Sequence, residues 1–112
     1  MPLVTLPRAE ALAAALVGRS VRTYLGREGR VERVEDEVIV VAGDHGDEAA
    51  RVRLADVQAG LEQLDAAGEV PVTIDALGPW ATYVAAMLVG VQDASFGDAP
   101  ARVMLSERPV AG

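Results

Sequence analysis

The chain has no cysteine, no lysine and no asparagine. Without cysteine there can be no disulfide, no thiolate metal site and no thiol nucleophile. Without lysine, nuclease chemistry built on paired carboxylates and a lysine loses one of its parts. Every fixed positive charge is an arginine, which reads as a GC-rich coding bias and hence a bacterial source. Aromatics are scarce, with one Trp, one Phe and two Tyr, so Val, Leu and Ala must fill the core. No uncharged run reaches the about 20 residues of a membrane span. The longest, between Asp75 and Asp93, is interrupted near its start by Gly78-Pro79. The N-terminal "ALAAALV" lacks a basic region before it, so no signal peptide is expected. These absences predict a soluble, cytoplasmic protein with no membrane partner.

What is present fits one domain. At 112 residues and 51% apolar, the chain 1–112 is long enough for a single core, with a loose C-terminal tail at 106–112. The net charge of −7 opposes non-specific binding to nucleic acid or an anionic membrane.

Hydrophobic periodicity predicts an α+β fold. Helices are expected at about 7–17, 55–67 and 79–91, where apolar residues recur at helical spacing and Pro or Gly mark the ends. Between the first two, about 20–54 reads as an antiparallel sheet of three to four strands built on a hairpin. "SVRTYL" (20–25) alternates, with Val21, Thr23 and Leu25 inward and Arg22 and Tyr24 outward. "GREG" (26–29) reads as a turn, and "RVERV" and "VIVVAG" as a hairpin with "EDE" (35–37) at its tip. Residues 69–75 read as extended or irregular, because Pro71 excludes a central strand. Residues 93–100 read as a loop and "ARVML" (101–105) as a last strand.

Catalytic candidates are thin. His45 is the single histidine, in a Gly-containing polar loop. Ser20, Ser95 and Ser106 lack a nucleophile-elbow context. Asp44, His45, Asp47 and Glu48 could ligate a metal, but their spacing fits neither an EF-hand nor a zinc site. Asp75 and Asp93 could meet as an acid–base pair and are better read as helix-end charges. "GREG" matches neither the P-loop nor the dinucleotide fingerprint. The expectation is therefore no catalytic residue, no metal and no cofactor.

Two stretches remain as candidate surfaces. The uncharged helix carries Trp80, Tyr83, Met87 and Leu88, and a helix apolar all round must be covered. These four are assigned to a partner interface, part of it covered by a second chain. Arg19, Arg22, Arg27, Arg30 and Arg33 fall within fifteen residues of one another, and an arginine-bearing hairpin can follow phosphates. They are the candidate nucleic-acid contacts. Helix 79–91 carries no arginine and cannot read a major groove in the usual way.

The segments "GRSVRTYLGREGRVERVEDEVIVV", "ARVRLADVQAGLEQL" and "LGPWATYVAAMLVG" together resemble a small accessory domain of bacterial restriction-type and other defence-type multidomain proteins. Arg22, Thr23, Gly26 and Arg27 match its first part. Tyr83, Val84, Ala85, Ala86 and Leu88 match its last, with Thr82 and Met87 where the pattern often has Ser and Ile. The resemblance spans about residues 18–90 and implies a module that binds nucleic acid or docks a partner, with no catalytic residues.

The function expected is thus a small non-enzymatic interaction module acting through protein–protein contacts, self-association among them. One alternative is a nucleic-acid-binding module using the arginine hairpin. Another is a small enzyme or ligand-binding domain with a pocket by helix 79–91.

Overall fold

A computed structural model describes residues 6–43, 48–91, 94–97 and 101–105. In chain order the elements are α1 (Ala9–Leu16), β1 (Ser20–Arg22), β2 (Glu28–Glu35), β3 (Val38–Ala42), β4 (Glu48–Arg53), α2 (Leu54–Ala67), β5 (Glu69–Pro71), α3 (Ile74–Leu77), α4 (Ala81–Leu88), β6 (Ala94–Gly97) and β7 (Arg102–Leu105). The fold is α+β, as expected. β1 to β4 form an antiparallel sheet in sequence order, and β5, β7 and β6 form a second, antiparallel sheet in that order.

The first sheet is a meander whose two faces are set by pairing. Val21 faces Gly29; Val31, Val41 and Ala50 form one row; Val34, Ile39 and Val52 form another. Apart from Val34, which is exposed near the hairpin end, the apolar residues of these rows are buried and supply much of the core with Leu61, Leu64, Leu77, Met87 and Leu88. The other face carries the rows Ser20–Arg30–Ala42, Arg33–Val40–Arg51 and Glu35–Val38–Arg53. Val40 is buried even there.

A bulge between Val31 and Arg33 shifts the pairing by one residue. Val31 and Val34 are three apart in sequence, so plain alternation would place them on opposite faces. The extra residue returns Val34 to the face of Ile39.

The β2–β3 hairpin turns on Asp36 and Glu37, both with left-handed backbones (φ 49° and 63°). Two such residues define the tight turn whose twist matches the strands, normally filled by Asn-Gly. Neither residue here escapes the Cβ penalty. Glu37→Gly is therefore expected to stabilise the fold by about 0.5–1 kcal/mol, read as a raised Tm in thermal unfolding.

α1 ends where Gly18 turns the chain onto β2. The Gly18 N–H donates to the Val31 carbonyl at 2.7 Å, and the Val31 N–H donates to that of Arg19 at 2.9 Å. The start of α1 has no side-chain cap of its own. Instead the Ala9 N–H donates to Gln58 Oε1 at 3.0 Å, tying α1 to α2.

Several expectations need correction. The alternation of β1 stops at Thr23, whose N–H bonds the Arg27 carbonyl and whose Oγ1 accepts the Arg27 N–H. Leu25 then lies on a turn and is 72% exposed, not inward. β2 begins at Glu28, so half of "GREG" is strand. Part of 93–100 is not loop: Ala94–Gly97 is β6, paired with β7. Residues 69–71 are extended as expected, with Pro71 ending an edge strand where its missing N–H is harmless, but Ile74 and Asp75 open α3. The apolar stretch 76–91 is two helices, because Gly78-Pro79 separates α3 from α4.

Candidate interaction site

The helix α4 delivers most of its apolar surface to its own chain. Tyr83, Met87 and Leu88 are buried, while Trp80, just before the helix, is 40% exposed. Tyr83 enters because β2 leaves room for it. A Cβ on Gly29 would lie 2.9 Å from the Tyr83 ring and 2.7 Å from Val41 Cγ1. Trp80 meets Tyr83 edge-on, with ring centroids 6.3 Å apart. Of the four residues assigned to a partner interface, Trp80 is thus the one that reaches the surface.

Arg19, Arg22, Arg27, Arg30 and Arg33 are all exposed. They do not form one cluster. Arg30 and Arg33 lie on the outer face of the first sheet, with Arg51 and Arg53 of β4. Arg19 and Arg27 stand at the ends of β1 and β2. Arg22 pairs with Glu28 at 2.7 Å, and Glu35 accepts Arg33 at 3.0 Å with Arg51 at 3.7 Å. The charge of this face is thus partly balanced within it.

The hydrogen bond and charge of Arg33, aided by the charge of Arg51, hold the Glu35 carboxyl below its ordinary range. A depressed carboxyl contributes stability above its unfolded-state value, and that contribution is lost as pH falls through the folded value. Arg33→Ala should therefore flatten the loss of stability on the acid side, as seen in urea unfolding from neutral to acid pH. The ion pair is exposed, so the change should be small.

Catalytic constellations do not assemble from the described residues. Asp44, His45, Asp47, Asp93 and Ser106 lie outside them, as does the side chain of Glu48. Ser95 is exposed on β6. Among the described residues no three His, Asp or Glu side chains could hold a metal ion. Among them, too, no helix is long and apolar enough to cross a membrane.

Two surface cavities adjoin β1. A polar one of about 340 Å³ on the outer sheet face is lined by Ser20, Glu28, Arg30 and Glu32. An apolar one of about 470 Å³ lies between β1, the end of α4 and β6, with Val21, Ala86, Val89 and Phe96 among its walls. Tyr24 and Phe96, both lining it, have ring centroids 6.2 Å apart. Sequence reasoning missed this groove because it put 93–100 in a loop. The single Phe in "ASFG" was the signal that the segment packs.

No protein-family model, curated protein or solved structure matches this chain.

Proposed function

We propose that this chain is a non-enzymatic interaction module that binds another protein through the apolar groove between β1, α4 and β6. The observation that carries the reading is the groove itself, with aliphatic and aromatic walls and an arginine, Arg22, in its lining. An apolar centre with aromatic residues and arginine is the composition of protein-interface cores. Leu25, between two lining residues and largely exposed, extends the apolar surface outward.

Val89 is half-buried on the groove wall, so Val89→Glu should spoil the surface and leave the fold intact. The experiment is affinity capture from the source cell with and without nuclease, using the native chain and Val89→Glu. Capture that survives nuclease and is lost in the variant supports the reading. Capture indifferent to Val89→Glu overturns it. Sedimentation of the chain alone at high micromolar concentration separates self-association from capture of a different protein.

A second reading, nucleic-acid binding, rests on the sheet face that carries the exposed Arg30 and Arg33. Under it, Arg22→Ala with Arg30→Ala should abolish a salt-sensitive gel shift. No shift by the native chain at low salt removes it. The acidic partners of Arg22 and Arg33 and the chain's net charge favour the first reading.

A further inference from the structure

We propose that the groove takes an extended peptide that adds to β1 as a further strand, its side chains alternating apolar and acidic. The inference rests on the protein-binding reading above and specifies the partner's chemistry. β1 is the first strand of its sheet, so among the described residues one of its sides has no neighbouring strand. The Thr23 N–H donates to Arg27, and the Arg19 carbonyl accepts from Val31. These bonds mark the odd-numbered residues as the ones turned toward β2. Antiparallel alternation then turns the N–H and C=O groups of Ser20 and Arg22 away from β2. Ser20 and Arg22 both line the apolar groove. The vacant hydrogen-bonding edge and the apolar cavity therefore coincide, and an extended segment is the ligand that satisfies both.

The pleat fixes which peptide side chains go where. Residues opposite Val21 and Thr23 share the inward face of those buried side chains and enter the cavity beside Ala86, Val89 and Phe96. The residue between them, opposite Arg22, lies on the outward face beside that guanidinium. Arg19 and Arg27 stand exposed at either end, and Glu28 pairs with Arg22 between them. This rim selects a carboxylate at the outward position. It also disfavours a second copy, because two β1 edges brought together would gather the arginines of both along one seam.

The test uses a capped heptapeptide of alternating valine and glutamate, its analogue with lysine for glutamate, and its analogue N-methylated at every second residue. The readout is amide NMR of the full chain. The glutamate peptide should give saturable shifts centred on Ser20–Thr23 and Ala86–Gly90. Both analogues should bind at least about tenfold more weakly, the one lacking the charge match and the other the hydrogen bonds. Arg22→Glu should reverse the preference toward the lysine peptide, a gain that a misfolded variant could not produce. No shift at millimolar peptide, equal binding by the N-methylated analogue, or shifts centred elsewhere overturns the proposal. So do concentration-dependent shifts at β1 in the chain alone, which would place a second copy there. If Val89→Glu still abolishes protein capture while the peptides fail, strand addition falls and the protein-binding reading stands.

Discussion

Replacing Leu88 with alanine is expected to cost about 2–5 kcal/mol of folding free energy. Leu88 is fully buried in α4 and packs against α2 at Gly60. A Cβ on Gly60 would lie 2.9 Å from Leu88 Cδ1 and 2.9 Å from Leu77 Cδ2. Gly60 therefore leaves the space that the tips of Leu88 and Leu77 occupy. Truncating Leu88 removes transfer free energy and leaves a cavity at that crossing, which rigid neighbours on both sides cannot fill by collapse. The same geometry gives a sharper, sign-reversing expectation for Gly60→Ala. In the native chain the new methyl overpacks the crossing, at about 1–3 kcal/mol, more than the about 1 kcal/mol of helix propensity it adds. In the Leu88→Ala background the methyl enters the vacated space, and the substitution should stabilise. Urea unfolding of the two single variants and the double variant measures the coupling directly. Additive effects would mean that Leu88 and Gly60 do not share the space the distances indicate.

Gly78→Ala should be nearly as damaging, for a different reason. Gly78 has φ 84° and ψ −175°, a region open essentially to glycine alone, where another residue pays about 1–3 kcal/mol. Pro79 holds the preceding residue away from helical geometry, so the backbone cannot relax by extending α3. A Cβ would also fall 2.5 Å from Asp56 Oδ2. The carboxylate can move, but it sits in the first turn of α2, where it complements the helix dipole, and near Arg53 at 3.9 Å. Asp56→Ala removes the collision and leaves the dihedral strain. The expected result is that Gly78→Ala remains strongly destabilising in the Asp56→Ala background, with a penalty reduced by the steric part alone. Thermal unfolding of the four chains reads this out. Equal stability of Gly78→Ala and the native chain would show that the α3–α4 corner has another backbone solution.

Much of the first sheet was legible in the sequence because its signals are local. The β-branched run "VIVVAG" and the alternation in "SVR" and "RVRL" state their own period. The helices expected at about 55–67 and 79–91 were legible from apolar spacing, with Gly68 as a stop and Pro79 as a start, and the structure has them at Leu54–Ala67 and Ala81–Leu88. The second sheet was not. "EVP", "ASFG" and "RVML" are each three or four residues long and carry too little periodicity to be read alone. Their pairing depends on Val70, Val103 and Phe96 reaching a common core. The outward turn of Leu25 was hidden because Thr23 closes a loop through its own side chain, which alternation does not register. The interface assignment to Trp80, Tyr83, Met87 and Leu88 read the apolar character correctly. It could not separate residues covered by the chain itself from the one left at the surface.

By itself the sequence determined the chemistry available: arginine as the sole fixed cation, no thiol, few aromatics, and a central helix too apolar for water. It also determined the elements whose hydrophobic period is complete within one segment. Only the tertiary structure decided which edge of the first sheet has no further strand among the described residues, where the bulge resets the faces of β2, and that Phe96 of β6 meets Tyr24 beside a groove. Strand order and the groove depend on contacts between residues far apart in the chain, which no local period encodes.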